Sequence, residues 1–267
     1  MKKILLLLNI LFVNLIANSM SCYDYYNIKK EQEIKSAVFV LIDETTLFNE
    51  ALQNQVLANS LKFVKYGNHI FIAKFSSFLD GKYNEVLFEM NIDTPLSKEE
   101  KYNIRKDLLV KVDKCLKDQI GYVRNMIKKS ISGAFLKDGD SIAKSDIFYA
   151  LQDFGNYVIA PMKIEDKVVI LASDMLENSS ITSFYVRGLP RLLNNKKELN
   201  LLEKNDLFGN FGGAKIYVIG TGLTESKKGY IKPQVLKSLN SFWVEYFNRS
   251  NAKLIELGTP ALKHGIK

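Results

Sequence analysis

Two aspartates occupy positions from which a chain can do chemistry. Asp43 ends the apolar run Ser36-Ala37-Val38-Phe39-Val40-Leu41-Ile42, and Asp174 ends Val168-Val169-Ile170-Leu171-Ala172-Ser173. Thr45 and Thr46 follow Asp43 within a turn, and Ser145 opens a helical pattern between the two runs. Carboxylates and hydroxyls gathered at one crevice make a hard, all-oxygen environment, which suits Mg²⁺ or another divalent cation such as Mn²⁺ or Ca²⁺ rather than Zn²⁺. Asp43, Thr45, Ser145 and Asp174 are therefore the candidate metal ligands. Taken singly, the same aspartates could be solvated strand ends, and Thr45 or Ser145 could cap a helix. Strand-end aspartates also build phosphohydrolase sites, in which Asp-x-Asp supplies nucleophile and acid. Thr45 fills the second of those positions, and no phosphate-anchoring lysine motif follows, so that alternative ranks below a binding site.

The elements needed to bring these residues together are legible in the hydrophobic pattern. Runs apolar on both faces suit central parallel strands covered on either side. They occur at 36–42 and 167–174, with further strands expected at 69–75, 86–92, 214–220 and 252–257. Asp80-Gly81 is a turn signal that pairs the second and third strands as a hairpin. Helical spacing runs over 44–65, from Ser145 through Ile147, Leu151, Phe154 and Val158, and from Pro233 to Phe247. Ser97 with Glu100 forms a capping box ahead of a long amphipathic pattern at 98–131, with many Lys and Arg on its polar side. At 1.5 Å per residue that helix would reach about 50 Å, so a break near Gly121 is expected. The alternation predicts one α/β domain at 36–257: doubly wound, mainly parallel, with one antiparallel edge strand, helices on both faces and a helical insertion at about 97–131. Residues 22–35 read as a polar lead-in and 258–267 as a tail.

Lys2 and Lys3 precede an apolar stretch from Ile4 to Ile16, and small or polar residues follow it up to Cys22. This is the order of an export signal over residues 1–21, and it places the mature chain in the periplasm or tethered in the cell envelope. Of 267 residues, 37 are Lys or Arg and 29 are Asp or Glu, a net charge of +8. Two of those lysines belong to the signal. Export and the lack of an aromatic-basic motif leave no role for nucleic acid, and the basic helical face reads as a solvated one. Cys22 stands where a lipoprotein would carry its acylated cysteine, making it the candidate lipidation site and the one expected membrane contact. A bridge to Cys115 is equally permitted in an oxidising compartment. His69 and His264 have no orienting partner in sequence, and Gly220-Thr221-Gly222 is a turn rather than a phosphate loop.

The strand-end residues resemble those of the von Willebrand factor type A family. That family carries Asp-x-Ser-x-Ser after its first strand, a Thr at a later helix start in Thr-x-Ile-x-x-Ala-Leu, and an Asp after its fourth strand. Asp43 and Thr45 match the first motif, but Leu47 replaces its second serine. Ser145-Asp146-Ile147-Phe148-Tyr149-Ala150-Leu151 is similar to the second, and Asp174 to the last; Ile216 to Gly222 looks like the family's late strand. The resemblance implies a metal-ion-dependent adhesion site, degenerate at Leu47. It implies a non-enzymatic, exported protein-binding domain, whose partner presents an acidic side chain to the metal. A metal-free, lipid-tethered structural protein of the envelope is the remaining alternative.

Overall fold

The computed structural model describes residues 21–76, 84–135, 145–224 and 231–266. Residues 1–20 of the export-signal segment and the Asp80-Gly81 turn signal lie outside them. Strand β1 (Ser36–Asp43) is buried at all eight positions. Its alternate side chains serve two cores. Ala37, Phe39 and Leu41 face one, and Val38, Val40 and Ile42 face the other. A strand buried on both sides must be central, and its continuous apolar run records that placement.

The remaining elements follow in chain order. They are α1 (Cys22–Tyr25) before β1, then α2 (Glu50–Leu61), β2 (Asn68–Phe75), β3 (Asn84–Asn91), α3 (Lys98–Tyr102) and α4 (Lys106–Ala134). Next come α5 (Ile147–Asp153), which continues as a π-helical turn over Phe154–Ile159, β4 (Asp166–Ala172), and the short strands β5 (Tyr185–Val186) and β6 (Leu189–Pro190). The chain closes with α6 (Asn195–Lys204), β7 (Lys215–Ile219), α7 (Pro233–Arg249) and β8 (Lys253–Leu257). Six strands form one sheet in the order β3-β2-β1-β4-β7-β8, and β5 and β6 make a separate pair. All neighbours in the large sheet are parallel except β2 and β3, which run antiparallel. This is the doubly wound order, with helices on both faces. One core takes residues of α2 and α4, the other residues of α5, α6 and α7. The chain winds outward from β1 to β2 in one direction and from β4 to β8 in the other. The crevice where the two directions part therefore lies at the carboxyl ends of β1 and β4, the ligand position of open α/β sheets.

Two local expectations shift. Helix α2 begins at Glu50 rather than near residue 44, because the Asn49 side chain caps it by accepting the Leu52 N–H at 3.0 Å. Thr45, Thr46 and Leu47 are thereby left in a loop and can turn back on Asp43. The expected break near Gly121 falls instead at 103–105, between α3 and α4, and α4 runs unbroken for 29 residues. Gly121 is exposed, and a Cβ added there would meet nothing within 4 Å beyond its own helix, so a single glycine on a solvated face does not end the helix. The length is accommodated by dividing the buried stripe. Val123, Ile127, Ile131 and Ala134 pack on the sheet, whereas Val112 and Leu116 pack with Leu96, Cys22 and Tyr23 in a third cluster. The lead-in is the cover of that half-helix. Cys22 is bonded to Cys115, with Cα atoms 5.9 Å apart. Its N–H donates to Asp93 Oδ2 at 2.7 Å, and the Tyr23 hydroxyl donates to the Thr94 carbonyl at 2.6 Å. A thioether to lipid and a disulfide are exclusive uses of one sulfur, and this structure holds the disulfide, so the expected lipid tether at Cys22 does not fit it. At the other end, Leu262 and Ile266 are buried against the α2 side, where Gln55 and Asn59 bond their backbone.

Candidate functional site

Asp43, the last residue of β1, is wholly buried at the switch point. Its Oδ1 accepts the Thr45 hydroxyl at 2.6 Å and the Thr45 N–H at 3.0 Å. Its Oδ2 accepts the Ser173 hydroxyl at 2.8 Å and the Ser145 hydroxyl at 3.2 Å. Burial raises the carboxyl's pKa above the ordinary range, and the hydrogen bonds from Thr45, Ser173 and Ser145 pull the other way. One carboxylate thus ties three separate chain segments together: the β1 loop, the approach to α5 and the end of β4. A buried charge that accepts four donors is a positioned group rather than a solvated strand end.

The segment that carries Ser145 is set by Asn178. Backbone N–H and C=O groups of the two residues exchange bonds at 3.3 and 3.0 Å. Ser145 is not the N-cap of α5. That position is Asp146, whose side chain makes no capping bond, and the Phe148 N–H goes instead to Glu177 Oε2 at 3.1 Å. With Glu177 serving the helix end, the Ser145 hydroxyl is released for Asp43. Glu177 is itself wholly buried, and its pKa is driven well above the usual carboxylate range, chiefly by desolvation.

Asp174 adjoins this cluster through its neighbours. Its N–H donates to the Thr46 hydroxyl at 3.3 Å, its Oδ1 accepts the Leu176 N–H at 2.8 Å, and the Tyr185 hydroxyl approaches Oδ2 at 3.4 Å. Its carbonyl accepts the Gly222 N–H at 2.8 Å, which brings the end of β7 alongside. Gly220 there has φ +110°, and a Cβ would stand 2.5 Å from the Phe48 ring and 2.9 Å from the Ser173 carbonyl, so the tight turn requires glycine. The Thr221 hydroxyl beside it is buried without a hydrogen-bond partner among the described residues.

Of the four residues proposed from sequence, three meet directly, Thr45 and Ser145 on Asp43; Asp174 flanks them. Leu47, in the place of the missing hydroxyl, is 41% exposed. Sequence reasoning passed over Ser173 and named Thr46 only as a neighbouring hydroxyl. Ser173 carries a usable signal, a hydroxyl immediately before a strand-end aspartate, whereas Thr46 becomes relevant only once its loop folds back on β4. The assembled donors are hard oxygens. Among the described residues, no three His, Cys, Asp or Glu side chains gather as a metal cluster. The arrangement is hydroxyl-rich and carboxylate-poor.

No protein-family model matches the chain, and no curated protein sequence matches it. Among solved structures, it is similar to the pilus adhesin SpaC from Lactobacillus rhamnosus GG, at 10% identity and a TM-score of 0.39. The match covers 85% of this chain and 29% of the adhesin's length.

Proposed function

We propose that this chain is an exported, non-enzymatic binding domain of the von Willebrand factor A type, with its partner-facing site at the β1–β4 switch point. The observation that carries the reading is the buried Asp43 carboxylate, holding the Thr45, Ser145 and Ser173 hydroxyls at the one sheet edge where doubly wound folds bind ligands. The strand order with a single antiparallel edge strand supports it. The disulfide supports an oxidising, extracytoplasmic compartment. Asp43 has no exposed surface and both of its oxygens are engaged, which favours a binding centre over a phosphoryl-transfer nucleophile.

The donor set fits a divalent cation such as Mg²⁺ in type. Thr45 and Ser145 spend their protons on Asp43 and keep oxygen lone pairs for a cation, and Asp174 adds a carboxylate at the rim. Those three would hold the ion, with Asp43 orienting the hydroxyls from behind, and the ion would supply positive charge for an acidic side chain of a protein partner. With Leu47 in place of a hydroxyl, the affinity should be low. A site of about 1 mM affinity stabilises the fold by about 1 kcal/mol at ~5 mM Mg²⁺, a melting shift of roughly 2–4 °C. The test is thermal unfolding with and without Mg²⁺, in the wild type and in Ser145→Ala. A shift in the wild type that the variant loses supports the site. No shift in the wild type, or an equal shift in both, removes the metal from the reading.

A further inference from the structure

The chain's positive charge is concentrated on one element. Between Arg105 and Lys129 there are eight Lys or Arg and three Asp, a net +5 of the protein's +8. Lys106, Lys117, Arg124 and Lys128 are all exposed. At 3.6 residues per turn they fall within about 40° of one another around α4 and extend over about 33 Å. None of the four has an ion pair among the described residues. The acids Asp107 and Asp118 are instead taken by Arg105 and Lys114. Asp113 is the one acid of α4 that shares the face. Large apolar and aromatic side chains are exposed at the same end of the molecule: Val110 on the stripe at 70%, Tyr102 on α3 at 90% and Tyr25 on α1 at 64%.

The chain preceding Ser21 carries paired lysines ahead of an apolar run. A segment of that composition is directed to a membrane. A row of exposed cations with the exposed Val110 among them is in turn the composition of an interfacial surface. We propose that the exposed face of α4 is a docking surface for an anionic lipid bilayer, holding the domain flat on the membrane it has crossed. The inference is independent of the metal reading, since the stripe belongs to α4 and contains none of the switch-point residues.

The test is flotation of the exported protein, purified without detergent, with vesicles of phosphatidylcholine alone or with about 30 mol% phosphatidylglycerol. Binding is expected only with the anionic lipid, and it should fall steeply between about 50 and about 300 mM NaCl. The triple variant Lys117→Gln, Arg124→Gln, Lys128→Gln should bind about a hundredfold more weakly, at about fivefold per cation removed. Its melting temperature should hold, because all three side chains are solvated. The variant Lys196→Gln, Lys197→Gln, Lys237→Gln loses the same charge from other exposed positions and should bind as the wild type does. Equal binding to neutral vesicles, equal loss in both triple variants, or binding to soluble polyglutamate as tight as to vesicles would each overturn the proposal.

Discussion

The bond between Cys22 and Cys115 offers the sharpest quantitative test. It closes a loop with a sequence separation of 93. Cross-linking so long a loop removes about 4.6 kcal/mol of chain entropy from the unfolded ensemble at 25 °C. The lead-in makes other bonds in the folded state, Cys22 N–H to Asp93, Tyr23 to Thr94 and Lys30 to Glu100, and these survive when the sulfurs are replaced. The double variant Cys22→Ser, Cys115→Ser should therefore fold, and be less stable by about 4–5 kcal/mol. In a domain of this size that lowers the melting temperature by roughly 8–20 °C. Urea unfolding followed by circular dichroism, with and without dithiothreitol, checks the figure. The reduced wild type should overlay the double variant, and the variant should show the larger m-value because its unfolded chain is no longer cross-linked. Two results would refute the reasoning: a variant within about 1 kcal/mol of the oxidised wild type, or dithiothreitol altering the variant as much as the wild type.

Asp43 should impose a pH dependence of definite sign. Its folded-state pKa is raised by burial, so the folded protein holds that proton to higher pH than the unfolded chain does. The stability this contributes is complete below the ordinary carboxylate range and is lost as pH rises through the raised value. Relative to Asp43→Asn, which stays neutral, the wild type should lose stability between acid and neutral pH in metal-free buffer; a flat or opposite difference in paired urea titrations would contradict it. Gly220→Ala should destabilise by about 1–3 kcal/mol through its positive φ, measured by thermal unfolding, and an unchanged melting point would show that the turn relaxes.

The run 37–42 could only be a strand covered on both faces, and 168–172 and 216–219 likewise, because residues apolar at every position have no solvent side to present. That was enough to read the sheet, its mainly parallel sense and the hairpin at its edge. The two aspartates at strand ends, and hence three of the four residues that now meet directly at the switch point, were legible on the same grounds.

Chain pattern did not decide which hydroxyls reach Asp43. Ser173 enters because the doubly wound order sets β1 beside β4, which also brings the Thr46 hydroxyl to the Asp174 N–H, and Ser145 is free for Asp43 because Glu177, 32 residues away in sequence, takes over the end of α5. Nor could spacing pair the cysteines or explain a 29-residue helix, since both depend on the lead-in folding back over the half of α4 that overhangs the sheet. Local periodicity reports which face of an element must be buried; what buries it is a contact between distant segments, and only the tertiary structure supplies that.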